Sequence, residues 1–266
     1  MVKLVAQIEG IGLLGPGLDG WTSSIPILEG HSPYISQPTV LPTPDGLPPA
    51  ERRRLGRVVK LALGVGLQAT SKAGVDRATL PAVFASSGGD GNNCHEICHA
   101  LSLDERLISP TRFHNSVHNA AAGYWSIATG SRAASNAVCA FDASFAAGLL
   151  EAVTQVVVDH TRVLLVTYDA QYPPPLFLKR PIPEAFGVAF VLAPAGASAS
   201  LGRLMLSFSD SPADQMGDSA LESLRASIPA ARSLPLLYQL AVRQPAVVHI
   251  DYLDGRSVAV EVTPCT

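Results

Sequence analysis

The chain has 266 residues, a formal net charge of −3 at pH 7 and a hydrophobic fraction of 47%. This length and composition suffice for one large domain with a substantial core, and the near-neutral charge gives no electrostatic case for nucleic acid or an anionic membrane surface. Four irregularly spaced cysteines exclude a small disulfide-rich scaffold and favour a reducing compartment. The N-terminus lacks the pattern of a secretory signal, and no apolar run approaches the length of a membrane span. The sequence therefore predicts a cytoplasmic protein.

Short apolar runs alternate with helical patterns along the first half of the chain. Residues 2–9 predict a strand, and the Gly- and Pro-rich residues 10–49 predict a long irregular segment. A helix is predicted to open at Pro49, with an inward face formed by Leu55, Val58, Val59, Leu61 and Ala62. Further strands are predicted at 80–86, 134–140, 163–168 and 186–192, and further helices at 93–101, 117–130 and 144–158.

The last sixty or so residues continue the same mixture. A strand follows a small-residue turn at 196–202, and residues 220–232 predict a helix. The chain ends in a hairpin of strands 247–252 and 258–262 around the turn Asp254-Gly255. This order of elements predicts a layered α/β fold with mixed strand directions.

One motif, His95-Glu96-Ile97-Cys98-His99, matches H-E-x-x-H. On a helix, His95 and His99 would share one face and could hold zinc, with Glu96 as general base. A zinc hydrolase also needs a third ligand, which the sequence does not supply at a recognisable spacing. The favoured interpretation is a surface helix, and the same holds for the pair His114 and His118. We therefore predict no metal.

Cys139 lies at a predicted junction between a strand and a helix. A helix N-terminus can activate a thiol at such a junction, so Cys139 is a candidate nucleophile. The alternative is a small buried cysteine of the core, which is the commoner situation.

The segments Ser109-Pro110, Asn119-Ala120-Ala121-Ala122-Gly123 and Gly130-Ser131-Arg132 together resemble the thiolase-fold ketosynthases. That family carries Ser-Pro, an Asn-x-x-Ala-Gly helix, a Gly-x-Arg-Gly turn and a strand that leads to the nucleophilic cysteine. The resemblance covers residues 1–208. It implies a thiolase-like layered α/β/α fold, mainly the N-terminal ketosynthase half, followed by a short C-terminal extension at 209–266 with the closing hairpin.

The resemblance also implies that the nucleophile is missing. Aligned without gaps from Asn119, the nucleophile position falls on Asp142, and Cys139 falls three residues early. A slip of one or two residues would move the position to Ala140 or Phe141, and neither carries a thiol. The two histidines that the family places in its second half are not recognisable either, since His249 is the single histidine after Phe208.

Within the family, the chain is most similar to the short chain-length-factor subunits of aryl polyene and xanthomonadin pathways. This resemblance implies a subunit without catalytic residues and without a cofactor. It would pair as a heterodimer with a full-length, active beta-ketoacyl-ACP synthase and act on chains delivered by an acyl carrier protein in fatty-acid or polyketide biosynthesis. The residues expected to line the substrate tunnel or the interface are Phe113, His114, Val117, Asn119, Tyr124, Phe141 and Phe145.

Three alternatives stay open from the sequence. The first is a stand-alone small acyltransferase or beta-ketoacyl synthase that uses Cys139. The second is the zinc hydrolase on His95, Glu96 and His99. The third is a homodimeric relic whose run Arg52–Arg54 binds the acidic helix of a carrier protein.

Overall fold

A nine-stranded mixed sheet runs through residues 4–44, 46–196 and 200–265, which this computed structural model describes. Its strands are β1 (Leu4–Gly15), β2 (Leu18–Asp19), β3 (Ala82–Ala85), β4 (Ser135–Val138), β5 (Val163–Asp169), β6 (Phe186–Ala193), β7 (Gly202–Ser209), β8 (Ala246–Asp251) and β9 (Ser257–Pro264). They lie in the order β4-β3-β5-β6-β1-β7-β9-β8, and β2 pairs with β1. β3 runs parallel to β4 and β5, whereas the other neighbours are antiparallel. The mixed strand directions predicted from the sequence are present.

Helices cover both faces of the sheet. They are α1 (Trp21–Leu28), α2 (Pro49–Arg54), α3 (Arg57–Ala73), α4 (Gly91–Ser102), α5 (Pro110–His114), α6 (Ala120–Thr129), α7 (Ser144–Asp159), α8 (Pro174–Phe177), α9 (Ser219–Ser227) and α10 (Leu234–Val242). Two short 3-10 helices, Phe141–Ala143 and Pro229–Ser233, precede α7 and α10.

The central strand β5 shows how the layers form. All seven of its residues are buried, and alternate side chains point to opposite faces of the sheet. Val163 and Leu165 join the core cluster that contains the buried side of α7 and α10. Leu164 and Val166 join the cluster that contains α3 and α6. The result is the α/β/α layering that the resemblance implied.

The first strand is longer than predicted. β1 continues to Gly15, whereas residues from Gly10 onward were expected to be irregular. A β-carbon at Gly10 or Gly12 would overlap the backbone carbonyl oxygens of Ala69 and Val65 on α3. These glycines therefore let a helix lie directly on the strand, and they do not mark a turn.

The predicted helix from Pro49 is interrupted. Leu55 adopts an extended conformation between α2 and α3, so the run forms two helices. The five residues predicted to face inward are all buried, as expected. The predicted helix at 220–232 is likewise broken, because Pro229 forces Ile228 into an extended conformation and ends α9.

Among the described residues, four α-helices were not predicted: α5 and α8, which are short and begin at a proline, and α1 and α10. α1 lies inside the Gly- and Pro-rich segment and contains Pro26, and α10 follows the second break, with a proline in its first turn. The closing hairpin of β8 and β9 forms as predicted, with Gly255 at a positive φ of 71° in its turn. The domain boundary predicted at residue 208 falls within β7, a strand of the same sheet.

One segment, Phe141–Asp159, is long and apolar enough to cross a membrane by length and composition alone. This corrects the expectation that no apolar run reaches that length. Half of the segment is buried in the protein, and α7 packs against β3, β5 and β1. The pattern is that of a core helix, which can match a membrane span in length and composition.

Candidate functional site

The connection from β4 to α7 forms a tight elbow. The chain leaves β4 at Val138, turns through Phe141–Ala143 and enters α7 at Ser144. The Oγ atom of Ser144 accepts a hydrogen bond from the N–H of Ala140 at 3.0 Å and donates one to the carbonyl oxygen of Phe141 at 2.7 Å. Phe141 has a left-handed φ of 50°, which costs a non-glycine residue on the order of 1–2 kcal/mol. The apex of the elbow is thus Phe141, one residue before the ungapped nucleophile position.

Asp142, at that ungapped position, is held by two arginines. Its Oδ1 accepts a hydrogen bond from Nη2 of Arg180 at 2.6 Å, and its Oδ2 accepts one from Nη2 of Arg232 at 3.2 Å. The side chain of Asp142 is 41% exposed, whereas those of Arg180 and Arg232 are 17% and 18% exposed. The Asp142 carboxylate is therefore fixed as the counterion of two largely buried guanidinium groups.

The same ion pairs reach the C-terminal part of the chain. Asp251 at the end of β8 binds Nη1 of Arg232 and Nη1 of Arg225, each at 3.0 Å. Arg180 also lies over the ring of Phe141, with its guanidinium carbon 3.7 Å from the ring centroid. The elbow is consequently connected to the loop before β6, the 3-10 helix Pro229–Ser233 and the closing hairpin.

Cys139 lies beside the elbow and not at its apex. It is exposed, which is contrary to the reading as a buried core cysteine. Its Sγ donates a hydrogen bond to the carbonyl oxygen of Ser87 at 3.3 Å. A thiol is accessible at this edge of the sheet, although one residue, Ala140, separates it from the left-handed turn at Phe141.

A buried carboxylate, Asp169, lies at the end of β5 beneath this region. Its Oδ1 accepts hydrogen bonds from the N–H and Oγ of Ser87 at 2.9 and 2.7 Å, and its Oδ2 accepts one from the N–H of Ala230 at 2.9 Å. Burial raises the pKa of Asp169 from 3.8 to about 6, against the opposing effect of these hydrogen bonds and of Arg180. Asp169 thereby joins the turn after β3 to the C-terminal 3-10 helix.

The seven predicted tunnel or interface residues do not lie together. Phe113, Val117 and Phe141 are exposed large apolar side chains, and His114 and Asn119 are exposed polar ones. Tyr124 and Phe145 are buried, in the clusters on opposite faces of the sheet. The ring of His114 meets that of Tyr124 edge-on at 6.2 Å between centroids.

The histidine motif lies on the outer surface of α4. The rings of His95 and His99 are 6.4 Å apart between centroids, and Glu96 forms an ion pair with Arg112 at 3.3 Å. In the part of the chain that the structure describes, no three His, Cys, Asp or Glu side chains are grouped closely enough to hold a metal. The Nε2 atom of His118 lies 3.3 Å from the carbonyl oxygen of Ser86.

Sequence reasoning missed Arg180, Arg232 and Asp169. Arg180 and Arg232 are separated from Asp142 by 38 and 90 residues, so no local pattern connects them. Asp169 ends an apolar run, and its position at the end of a buried strand was the one signal that could have indicated a buried carboxylate.

Comparison with known proteins identifies the family. The family model described as "Beta-ketoacyl synthase, N-terminal domain" matches residues 30–247. A search of curated proteins found no match. Among solved structures, the chain resembles a chain from the complex of a ketosynthase (ApeO) with its chain length factor (ApeC) from Xenorhabdus doucetiae, at 23% identity and a TM-score of 0.73. The alignment covers 97% of this chain and 99% of that one.

Two further structures have the same fold. A chain of the ishigamide ketosynthase/chain length factor is 13% identical with a TM-score of 0.75, and the alignment covers 98% of this chain and 100% of that one. A chain of AntDE:AntF, a type II polyketide acyl carrier protein in complex with its ketosynthase, is 11% identical with a TM-score of 0.75, covering 99% and 100%. Since the family model spans more than half of its residues, this chain belongs to the beta-ketoacyl synthase N-terminal domain family.

Proposed function

We propose that this chain is a non-catalytic ketosynthase-like subunit, a chain length factor. It pairs with an active beta-ketoacyl-ACP synthase that elongates carrier-bound acyl chains in fatty-acid, polyketide or aryl polyene biosynthesis. The single observation that supports the proposal is the elbow between β4 and α7, where neither Phe141 at the left-handed turn nor Asp142 after it carries a thiol.

The chemistry of the elbow supports the absence of activity. Acyl transfer from a carrier thioester needs a nucleophile whose acyl product is stable enough to wait for the second substrate. A carboxylate would form a reactive anhydride, and the Asp142 oxygens already accept hydrogen bonds from Arg180 and Arg232. Phe141 offers no nucleophilic atom. Neither Phe141 nor Asp142 is therefore suited to accept the acyl group.

The surface beside the elbow supports pairing. β4 is an edge strand whose residues Ser135, Asn136 and Ala137 are exposed, so one side of its backbone is available to a second sheet. Phe113, Val117 and Phe141 add exposed apolar side chains. Exposed edge strands and exposed large apolar side chains are each typical of surfaces that another subunit covers.

The relatives with the same fold include complexes of ketosynthases with chain length factors and with an acyl carrier protein. They supply the candidate partners for this chain: a full-length ketosynthase and an acyl carrier protein.

Co-expression with a candidate full-length ketosynthase tests the proposal. We expect the two chains to co-purify and condensation activity to appear in the pair but not in this chain alone. Val158→Ser, a change at an exposed residue of α7, is a reference variant that should leave pairing intact. Activity of this chain without a companion would contradict the proposal.

The exposed thiol of Cys139 favours one second candidate, a stand-alone acyltransferase. An acyl thioester substrate should then leave an acyl group on Cys139 that mass spectrometry of the isolated chain detects, and Cys139→Ser should abolish it. The chain-length-factor proposal expects no adduct, and expects the pair containing Cys139→Ser to keep its activity.

A further inference from the structure

A cavity of ≈ 480 Å³ lies between α2, the start of α3, and the segment of α4 and α5. Four of its lining residues are arginines, Arg53, Arg54, Arg57 and Arg112, and we call this cavity the arginine basin. Neutral hydrogen-bonding side chains complete the polar lining: Asn92, Asn93, Ser109, Thr111 and Asn115. None of the elbow residues Ala140 to Ala143 lines the basin.

Two buried asparagines fix the walls of the basin. Asn115 donates its Nδ2 hydrogen bond to the carbonyl oxygen of Arg54 at 2.9 Å, while its Oδ1 accepts one from the hydroxyl of Tyr124 at 3.0 Å. Asn93 donates from Nδ2 to the carbonyl oxygen of Arg112 at 2.8 Å. Both asparagines are 7% exposed. The backbone of two arginines from distant segments is thus held in place before any ligand arrives.

The carboxylates near the basin orient its arginines from outside. Glu51 binds Nη1 of Arg54 at 3.0 Å, Glu184 binds Nη2 of Arg57 at 2.5 Å, and Glu96 binds Nη2 of Arg112 at 3.3 Å. The described lining of the cavity includes none of these three glutamates. Each pair engages one terminal nitrogen of a guanidinium that carries five N–H donors, so donors remain for a ligand.

Asp90 is the acidic residue of the lining, and it already has a structural role. Its Oδ1 accepts a hydrogen bond from the N–H of Asn93 at 2.9 Å and caps the start of α4. Arg54, Arg57 and Arg112 keep free N–H donors beside their ion pairs, and Arg53 has no carboxylate partner among the described ion pairs, so the donors of the lining can accept an anion.

We propose that the arginine basin binds one phosphate group, free or as a phosphate monoester or diester. Arginines from α2, α3 and α5 line the same cavity, which suits the several oxygens of a tetrahedral oxyanion better than a planar carboxylate, and arginine matches phosphate geometry with paired hydrogen bonds. The inference goes beyond the proposed function, since it uses neither the elbow nor the edge strand.

Calorimetric titration of the purified chain, or of its complex with a ketosynthase, tests the inference. Inorganic phosphate should bind at one site, and the double variant Arg53→Gln, Arg112→Gln should weaken binding about tenfold or more. Both side chains are largely exposed, so the variant should fold, which its circular dichroism and Tm would verify. Arg203→Gln, an exposed arginine on β7, is the matched control and should bind as the native chain does.

Parallel titrations distinguish the source of the phosphate. Tighter binding of methyl phosphate than of dimethyl phosphate assigns a monoester, and the reverse order assigns a diester; either supports the proposal. No binding, equal affinity for phosphate and acetate, or phosphate binding that survives in the double variant would overturn it. Because none of these measurements involves acyl transfer or pairing, their failure is distinct from a failure of the proposed function.

Discussion

The two sides of the elbow are built in opposite ways. Toward the C-terminus, α7 buries eight of its residues, and Asp142 and Asp169 connect it and β5 to the closing part of the chain. On the other side, α4 buries Gly91 and Asn93, α5 buries no residue, and large apolar side chains face outward. Those exposed side chains are Leu101, Leu103, Leu107, Phe113 and Val117.

This difference indicates which apolar side chains are buried within the chain and which are left exposed for another subunit to cover. Burial of apolar surface stabilises α7 within the chain, whereas the exposed apolar side chains of the α4–α5 segment contribute no such stabilisation to the chain. An exposed apolar surface of this extent is typical of an interface. Substitutions on the first side should therefore change folding, and those on the second should change association.

Asp169→Ala should have the largest effect on folding. The change leaves the buried N–H groups of Ser87 and Ala230 without their acceptor, and we expect a loss of about 2–4 kcal/mol in the free energy of unfolding. Urea unfolding followed by circular dichroism measures it. Asp210→Ala removes an exposed carboxylate and should change stability by less than about 0.5 kcal/mol. If Asp169→Ala lost less than about 0.5 kcal/mol, Asp169 would not be one of the residues that hold the C-terminal part of the chain in place.

The pH dependence of Asp169→Asn isolates the charge. The folded-state pKa of Asp169 is about 6, above its ordinary value of 3.8, so the folded chain keeps a proton that the unfolded chain releases between these values. The stabilisation from this proton is complete below pH 3.8 and is lost as pH rises through 6. The native chain should therefore lose up to about 3 kcal/mol relative to the variant from pH 4 to pH 7.

Unfolding of both proteins at pH 4, 5, 6 and 7 gives this difference directly. The other titratable groups are present in both proteins, so their contributions to the pH dependence of the free energy of unfolding cancel in the difference. A difference that is constant with pH would show that Asp169 does not titrate in this window.

Asp142→Ala should have a smaller effect, on the order of 1–2 kcal/mol. It leaves the largely buried Arg180 and Arg232 without their shared carboxylate, but solvent reaches Asp142 and screens the charges. Thermal unfolding at low and high salt measures the loss, which salt should reduce. Arg256→Gln, which breaks an exposed pair with Asp210, is the control and should be nearly neutral. An unchanged Tm for Asp142→Ala would contradict an anchoring role.

Phe113→Ser combined with Val117→Ser should have the smallest effect on folding, within about 0.5 kcal/mol, because both side chains are exposed. The same variant should weaken pairing with a ketosynthase about tenfold or more, since buried aromatic residues contribute strongly to interfaces. Co-purification yield and analytical ultracentrifugation measure this. Pairing as strong as that of Val158→Ser would place the interface elsewhere.

The layered fold could be predicted because its signals are local. The apolar run of β5 and the helical spacing of Leu55 to Ala62 each lie within a few residues. Breaks were harder to predict, because the extended residues Leu55 and Ile228 interrupt helical patterns that continue on either side. The predicted first strand ended before Gly10, whereas β1 continues to Gly15. Only the contact with α3 in the folded chain explains why a glycine lies within this strand.

The candidate site was predicted less completely. The resemblance located the elbow, but the two arginines on Asp142 come from the loop before β6 and from the 3-10 helix Pro229–Ser233, which only the folded chain brings together. The exposure of Phe113 and the burial of Phe145 could not be distinguished from the sequence, because an aromatic residue in a helical pattern serves a core and an interface equally well.

The left-handed backbone at Phe141 has a consequence for redesign. The left-handed residue of the turn is Phe141, so an engineer placing a thiol at this turn would choose Phe141→Cys before Asp142→Cys. The guanidinium of Arg180 would still cover the new side chain, and it would have to be shortened as well. Placing an accessible thiol at this turn would thus take at least two coordinated changes, in segments of the chain that are far apart in sequence.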